Sequence, residues 1–356
     1  MKFPLYLPQI NNSQNDGLSV LAADVGGTKT NIAKFVSENG KMILESEDTY
    51  ATNNYLSLSE IFLDFIKKNS FEKPDRISIG AAGPVVDGIC HTTNIIYKID
   101  VRELKRDLGV DKVYLINDLE ATSFGLAEVD DEFMKTIRQG NPSIGGHIAV
   151  LAPGTGLGEA CLFWDGKYLR PMPSEGGHSE FAPRTEVEFE LMKFLQKTYG
   201  EIIIWERLVS GPAIFKIYQF LRDVKGHEEP GWLTQKFEEE ADKSAVVSHT
   251  AMRELNPTCV LAMEMFVDFM ARRANNMVLN YKSTGGLVLG GGIPPRIYNF
   301  INKDKFEASF LKCDEMEPLL SEIPIYLNLN SKTGLYGAAY YGAFSEDYEK
   351  FKDNII

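Results

Sequence analysis

Residues 174–181 read SEGGHSEF and place Glu175, His178 and Glu180 close together. Carboxylates and imidazoles can bind metals, transfer protons or hydrogen-bond polar ligands. Four interpretations are therefore open: a solvated turn, a metal site, an acid–base pair, and a clamp for sugar hydroxyls, which both donate and accept hydrogen bonds. The zinc interpretation is the weakest of these, because the HxE of zinc deaminases needs a downstream PCxxC, which the sequence lacks.

A second candidate follows the apolar run 113–116, where Asn117 and Asp118 precede a predicted helix. Either residue could simply cap that helix. Ligands of open α/β sheets, however, bind at strand ends. A carboxylate at a helix N-terminus stays ionised and is a weak base, which suits the loose transition state of phosphoryl transfer. Both roles can hold together.

Glycine turns follow three apolar runs, at Asp24–Thr28, Gly154–Gly158 and Gly290–Gly292. Each could be an ordinary tight turn, but successive backbone N–H groups also bind anions such as phosphate. Neither the P-loop string GxxxxGK[ST] nor a complete dinucleotide fingerprint occurs in the sequence. The pattern favours phosphate held between two β-hairpins on facing domains.

The elements that must position these residues repeat along the chain. Apolar runs flank the first turn at 18–23 and 30–36, and the second at 147–151 and 160–164, which predicts two hairpins. The recurrence indicates two domains of related topology. Strands and helices in alternation indicate an α/β class. At roughly 150 residues per domain, the 356-residue length also favours two domains.

Other segments carry simpler expectations. The apolar spacing after Asn256 and Pro257 predicts a long helix, and a further helix is expected from about Pro295. Residues 226–243 are acidic and rich in helix breakers, so we expect a solvated loop there. Residues 1–17 are expected to form a loose N-terminal arm.

Composition restricts location and partners. The net charge of −13 disfavours nucleic acid and anionic membranes as partners. The N-terminal sequence lacks a signal-peptide core. The four cysteines have no metal-binding spacing, and we expect them to be reduced in a cytoplasmic protein: Cys90, Cys161, Cys259 and Cys313.

Taken together, the motifs resemble the bacterial glucokinases of the actin–hexokinase superfold. DVGGTKT and LAPGTGLG are similar to that family's phosphate motifs, and LVLGGGIPPR to its adenosine segment. LINDLEA, PSEGGHSEFAP and WERLVSGP are similar to its sugar-site segments. The motifs occur in the family's order over nearly the whole chain. A related zinc-containing group has cysteines after the histidine, and this chain has none there, so it resembles the zinc-free branch.

The resemblance implies a two-domain actin/hexokinase-like (ribonuclease H-like) α/β fold with an interdomain active-site cleft. It implies a small domain of residues 18–127 plus 335–356 and a large domain of residues 128–334. Closure of the domains over the sugar would exclude water and limit wasteful ATP hydrolysis.

The resemblance also implies roles for the candidate residues. Asp118 would be the catalytic base acting on the sugar 6-hydroxyl, and Asn117 would position the neighbouring hydroxyl. Four residues would bind glucose with them: Asn94, Glu175, His178 and Glu206. Glu180 matches no family role and is expected to be structural.

For the nucleotide, the resemblance implies that Gly26, Gly27 and Thr28 contact one phosphate, and Gly154, Thr155 and Gly156 a second. Gly290, Gly291 and Gly292 would pass under the adenosine of ATP. Mg²⁺ would be held mainly by the ATP phosphates, with Asp24 in contact through water or acting only to stabilise the turn. Lys29 could help to screen phosphate charge.

The implied activity is ATP-dependent phosphorylation of D-glucose by a homodimer. The alternatives are a kinase for another hexose or amino sugar, a polyphosphate-dependent kinase, and a sugar-sensing regulator that has lost catalysis. Such regulators usually carry a helix-turn-helix domain before the first glycine motif, and no basic helix is visible there. The retained Asp118 also argues against a regulator.

Overall fold

The computed structural model describes residues 3–92, 95–141 and 145–345, so Asn94 lies outside the described residues. The chain forms two compact units. Unit 1 comprises the described residues up to Asp131, the segment Trp164–Pro173 and those from Lys332 onward. Unit 2 comprises Glu132–Phe163 and Ser174–Ser331. The segment Trp164–Pro173 falls in unit 1, whereas the family resemblance implies that it belongs to the large domain.

The chain mixes strands and helices, as the α/β class predicts. The strands are β1 Ser19–Val25, β2 Lys29–Glu38, β3 Lys41–Ala51, β4 Arg76–Ala81, β5 Val85–Val86, β6 Ile89–Cys90, β7 Ile99–Asp100, β8 Lys112–Asn117, β9 Met134–Arg138, β10 Ile148–Pro153, β11 Leu157–Trp164, β12 Leu169–Ser174, β13 Gly286–Leu289 and β14 Ile325–Asn328. The helices are α1 Leu58–Asn69, α2 Val101–Leu108, α3 Asp118–Gly125, α4 Glu186–Tyr199, α5 Gly211–Asp223, α6 Gly231–Glu239, α7 Lys243–Met252, α8 Pro257–Tyr281, α9 Lys303–Leu311, α10 Glu317–Ser321 and α11 Thr333–Phe344.

The two main sheets correspond in the order of five strands, and the second has a sixth. The first runs β3-β2-β1-β4-β8 and the second β12-β11-β10-β13-β14-β9. In the first, β1 is antiparallel to β2 and parallel to β4. In the second, β10 is antiparallel to β11 and parallel to β13. The two predicted glycine hairpins are therefore confirmed, and so is the related topology that their recurrence indicates.

Helix α3 follows β8 and packs backbone to backbone against α11. A Cβ added at Gly337 would overlap the carbonyl oxygen of Ala121, and one added at Gly125 would overlap that of Thr333. These two helices can approach so closely only because glycine stands at both positions. The crossing fixes the axis of α3, and with it the direction of the helix's first turn.

The N-terminal residues pack on unit 1 rather than forming a loose arm. Phe3, Leu5 and Leu7 are buried, and Leu5 forms a bridge with Leu169. The backbone N–H of Gln9 donates to the carbonyl of Phe344 at 3.0 Å. Burial of these apolar side chains stabilises the segment, although its prolines and polar residues favour a loose arm.

Two further expectations were wrong. Residues 226–243 contain α6, which buries Leu233 and Phe237, one helical turn apart, so this segment is not simply a solvated loop. The segment after Gly292 forms successive turns instead of a helix, with the N–H of Arg296 bonded to the carbonyl of Ile293 at 2.9 Å. Consecutive prolines remove two backbone donors there and disfavour a regular helix.

In the described part of the chain, no helix combines the length and the apolar character needed to cross a bilayer.

Candidate active site

Asp118 is the first residue of α3, directly after the carboxyl end of β8. Asn117 caps the helix: its Oδ1 accepts hydrogen bonds from the N–H groups of Leu119 at 2.8 Å and Glu120 at 3.3 Å. The Asn117 Nδ2 donates to the carbonyl of Gly83 at 3.1 Å. The capping role considered from sequence is thus real, and it holds Asp118 at a strand end, where ligands of such sheets bind.

Strand β4 supports the same turn from beneath. A Cβ added at Gly80 would lie 2.8 Å from the Cβ of Ala121 and 3.7 Å from the Cα of Asp118. Only glycine lets the strand lie this close to the first turn of α3. The position of the Asp118 backbone is therefore set from two sides, by β4 and by the crossing with α11.

Glu120 is a carboxyl group that the sequence analysis did not single out. The backbone N–H of Asn117 donates to it, which completes a reciprocal capping arrangement with Asn117. Burial raises the pKa of Glu120 from 4.5 to about 7, and the Asn117 bond opposes part of that rise.

The first glycine turn joins β1 and β2 and is fixed by the residues that follow β3. The Thr52 hydroxyl donates to the carbonyl of Gly26 at 2.9 Å, and the Thr52 N–H to that of Thr28 at 3.1 Å. The Asn53 Nδ2 donates to the carbonyl of Gly27 at 3.2 Å. Three consecutive carbonyls are thereby held, while Thr28 and Lys29 are exposed at the tip.

Asp24 lies near the end of β1, opposite Asn31 of β2. Burial raises the pKa of the Asp24 carboxyl, and a hydrogen bond from Asn31 acts in the opposite direction. Its Oδ2 would be 3.6 Å from a Cβ added at Gly334, in the first turn of α11. This carboxylate is therefore desolvated beside a helix N-terminus, where a nearby cation would favour its ionised form.

In unit 2, the second and third glycine turns lie side by side. Strands β10 and β13 are parallel neighbours, so Gly154–Gly158 and Gly290–Gly292 leave the sheet at the same edge. The N–H of Ile293 donates to the carbonyl of Pro153 at 3.1 Å. Gly291 has φ of +77°, and an added Cβ would lie 2.7 Å from that same carbonyl. The two predicted nucleotide segments of unit 2 are thus brought together.

Glu206 reaches the second turn. Its Oε2 accepts from the N–H of Leu157 at 3.2 Å and would lie 2.7 Å from a Cβ added at Gly156. Arg207 lies 3.5 Å from the other carboxylate oxygen, and the hydroxyl of Ser210 donates to the Glu206 carbonyl at 2.6 Å. A residue predicted for sugar recognition therefore contacts a predicted phosphate turn.

The segment SEGGHSEF forms a single 3₁₀ turn at Gly176–His178 after β12, with Glu175 and His178 exposed. Neither glycine has a positive φ. A Cβ at Gly176 would overlap the carboxylate of Glu159, and one at Gly177 would overlap the carbonyl of Leu157. The glycine pair is thus required by close packing rather than by a left-handed turn.

The same segment pairs with the residues before Glu206. Glu180 and Ile204 form an antiparallel bridge, and the N–H of Trp205 donates to the carbonyl of Ser179 at 3.0 Å. His178 and Glu206 each lie one residue beyond that bond, on the two paired segments. The pairing thus brings three of the predicted sugar-binding positions, Glu175, His178 and Glu206, to one region of unit 2. Glu180 belongs to the pairing itself.

The described residues contain no group of three or more His, Cys, Asp or Glu side chains able to hold a metal ion.

Comparison with known proteins identifies the chain's relatives. The sequence matches the Glucokinase family over residues 21–344. A glucokinase of Nostoc punctiforme is 34% identical over 333 residues, which cover 90% of this chain and 97% of that protein. The chain belongs to the glucokinase family. Its relatives act as glucose-phosphorylating kinases, so the expected family is confirmed.

Solved structures agree. The crystal structure of a glucokinase from an Antarctic psychrotroph aligns with a TM-score of 0.75 at 27% identity, covering 90% of this chain and 98% of that one. A Balamuthia mandrillaris glucokinase, solved in complex with glucose, aligns at 0.76 with 22% identity over 95% and 96% of the two chains. The family's two-domain actin/hexokinase-like α/β fold is therefore the fold of this chain.

Sequence reasoning missed Glu159 and Arg273, which form a buried ion pair beneath Gly176. A signal was present in both cases, because an acid stands within the apolar strand run of β11 and two arginines interrupt the apolar pattern of α8. Charged residues at inward positions are almost never left unpaired, so each predicts a partner, although its identity cannot be read from the sequence.

Proposed function

We propose that this member of the glucokinase family transfers the γ-phosphoryl group of ATP to the 6-hydroxyl of D-glucose, giving glucose 6-phosphate and ADP. The observation that carries the proposal is the family match over residues 21–344, which includes each of the described candidate residues. The helix-capped Asp118 at the end of β8 supplies the chemistry that such a transfer needs.

Asp118 is the catalytic base in this proposal. Phosphoryl transfer has a loose transition state, so the base needs to orient the hydroxyl and accept its proton late in the reaction. Support comes from the close packing of the first turn of α3 against Gly80 of β4, and of the same helix against α11. Asn117 would contact the neighbouring hydroxyl through the second hydrogen of its amide, since the first is donated to Gly83.

Glucose recognition is assigned to Glu175, His178 and Glu206, with Asn94 as a fourth contact outside the described residues. Carboxylates accept hydrogen bonds from sugar hydroxyls, and an imidazole can donate or accept one. Hydrogen bonds to charged groups contribute about 1.5–3 kcal/mol each. Support comes from the backbone pairing that carries His178 and Glu206 to neighbouring positions.

ATP is assigned to the glycine turns: Gly26, Gly27 and Thr28 for one phosphate, Gly154, Thr155 and Gly156 for another, and Gly290, Gly291 and Gly292 for the adenosine. Lys29, exposed at the tip of the first turn, is assigned to screening of phosphate charge. Mg²⁺ bound to the phosphates would neutralise charge on the transferred group. Asp24 fits a cation that it contacts through water, because its buried carboxyl has a raised pKa and an ion nearby would restore its charge.

We also propose that the protein works in the cytoplasm as a homodimer. Support for a reducing compartment comes from Cys161 and Cys259, which are buried and form no disulfide. Light scattering on the purified protein measures the oligomeric state directly, and a monomer would overturn that part of the proposal.

The deciding experiment is a coupled assay with a panel of acceptors. We expect glucose-dependent ADP release from MgATP at millimolar glucose, and slower turnover with fructose, mannose and N-acetylglucosamine. Faster turnover of another sugar would move the protein to that substrate. Absence of ADP release with every sugar, together with DNA binding in a gel-shift assay, would favour a non-catalytic sugar sensor.

A further inference from the structure

A buried ion pair lies under the sugar-recognition segment of unit 2. Arg273 of α8 and Glu159 of β11 form two parallel hydrogen bonds, each of 2.6 Å, from Nε to Oε1 and from Nη2 to Oε2. Their side chains are 6% and 0% exposed. Removing two charges from water is costly, so such a pair is poor evidence for a purely stabilising role. The other contacts of the pair indicate a second role.

The guanidinium of Arg273 has further contacts. Its Nη2 donates a third hydrogen bond, of 2.9 Å, to the carbonyl of Gly176, between Glu175 and His178. The same group lies 5.6 Å from the ring centroid of Trp205, the residue before Glu206. The Arg273 guanidinium therefore contacts the backbone of the segment that carries Glu175 and His178. It also lies close to the ring of Trp205, the residue next to Glu206.

We propose that Arg273, oriented by Glu159, is a positioning residue that sets the direction of Glu175 and His178 toward the sugar. The inference rests on the proposed glucose-binding role of these residues. Gly176 and Gly177 have more backbone freedom than any other pair of residues, so this turn needs an external restraint. A charged donor makes a stronger bond to the Gly176 carbonyl than a neutral one.

Glu159 completes the arrangement. Its rigid, two-point contact fixes the plane of the guanidinium, which a lysine in place of arginine could not match. The carboxylate also occupies the space that a side chain at residue 176 would need. The pair thus acts as a buried template on which the 3₁₀ turn Gly176–His178 lies.

The neighbouring Arg272 provides a matched comparison. It is also buried, pairs with Glu188 at 2.5 Å, donates to the carbonyl of Ala182, and lies 5.5 Å from the Trp205 centroid. It differs from Arg273 in the carbonyl that it holds, because Ala182 lies beyond the sugar-recognition turn. A general effect of losing a buried arginine pair should therefore appear at this site too, where Glu188 also accepts a hydrogen bond from the Arg184 N–H at the start of α4.

The test compares two double variants, Glu159→Leu/Arg273→Met and Glu188→Leu/Arg272→Met. Replacing both partners of a buried pair by apolar residues keeps stability close to the original. We expect the first variant to raise KM for glucose about tenfold or more, since displacement of positioned groups by roughly 1 Å can cost about 10²-fold. KM for ATP should stay unchanged. The second variant should leave both constants near their original values.

Arg273→Lys is the third variant, because it keeps the charge but loses the planar fork. It should also raise KM for glucose. An unchanged KM for glucose in a folded Glu159→Leu/Arg273→Met variant overturns the proposal, as does an equal rise in the Arg272 control.

Hydrogen exchange of a peptide covering residues 174–181 gives a readout that does not need activity. We expect faster exchange at this turn in the Arg273 variants and unchanged exchange in the Arg272 control. An original protein that turns over no glucose but shows this difference would refute the proposed function and leave the restraint itself standing. Equal exchange in all proteins would refute the restraint whatever the activity.

Discussion

The carboxylate of Glu206 accepts a hydrogen bond of 3.2 Å from the backbone N–H of Leu157. This bond ties a predicted sugar-binding side chain to the end of the second glycine turn. A change at Glu206 can therefore act in two ways, through the charge presented to the sugar and through the shape of the turn. The two effects can be separated, because one depends on charge and the other only on an acceptor oxygen.

Glu206→Gln keeps an oxygen able to accept the Leu157 N–H but removes the charge. We expect KM for glucose to rise about tenfold, as one charged hydrogen bond becomes neutral, and KM for ATP to stay unchanged. Glu206→Ala should raise both constants, because the turn loses its support. Steady-state kinetics with each substrate varied measure the difference. Equal effects of Gln and Ala on KM for ATP would contradict this account.

Asp118→Asn removes the proposed base while keeping the size of the side chain. Loss of general base catalysis lowers rates by about 10²–10⁴-fold, and we expect kcat to fall in that range. Calorimetry should show a smaller loss of glucose affinity, about tenfold at most, because one charged hydrogen bond becomes neutral. Asp111→Asn, at an exposed position just before β8, is the control and should be neutral. A loss of glucose affinity as large as the loss of rate would mean that Asp118 acts in binding or in the structure of α3 and not as a base.

Gly176→Ala should destabilise unit 2. The added methyl group would overlap the Glu159 carboxylate and lie 2.9 Å from the Arg273 Nη2, in a region closed by the ion pair. Overpacking of this kind costs about 1–3 kcal/mol in the free energy of unfolding. Gly231→Ala, which meets no atom within 4 Å at the start of α6, is the matched control. Urea denaturation measures both, and equal stabilities would contradict the packing argument.

Glu120 should make stability depend on pH. Its pKa is raised from 4.5 to about 7, so between these values the folded state binds more protons than the unfolded state. The free energy of unfolding therefore falls as pH rises through this window, and the cost is fully present above it. Glu120→Gln should flatten that slope, whereas Glu239→Gln, exposed on α6, should not. Denaturation curves between pH 4.5 and 8 test this, and parallel slopes for Glu120→Gln and the original would refute it.

The turns and the helix cap that position the site can be predicted from the sequence. The buried charges that lie beneath it cannot. Hairpins at Val25–Lys29 and Pro153–Leu157 follow from glycines between apolar runs, a local pattern that local rules describe well. The Asn117 cap is equally local. The Glu159–Arg273 pair joins residues 114 positions apart, and no local pattern names one as the partner of the other.

Failures in the sequence analysis have the same origin. Leu233 and Phe237 have helical spacing, but the acidic residues and helix breakers around them favour a loop. The helix forms because both side chains are buried in the core of unit 2. For Gly176 and Gly177, an ordinary solvated turn is one of the four interpretations that the sequence leaves open. Glycine is required at position 176 because the Glu159 carboxylate of β11 packs against it. This contact exists only in the folded chain.

The close crossing of α3 and α11 has a consequence for how the protein is made. Roughly 200 residues separate Gly125 from Gly337, and a ribosome adding about 5–20 residues per second needs about 10–40 s to synthesise them. During that interval the helix that begins with Asp118 has no native partner at Gly125. The end of unit 1 that carries Asp118 is therefore assembled late, after most of unit 2 has left the ribosome, and its folding depends on a contact of very long sequence separation.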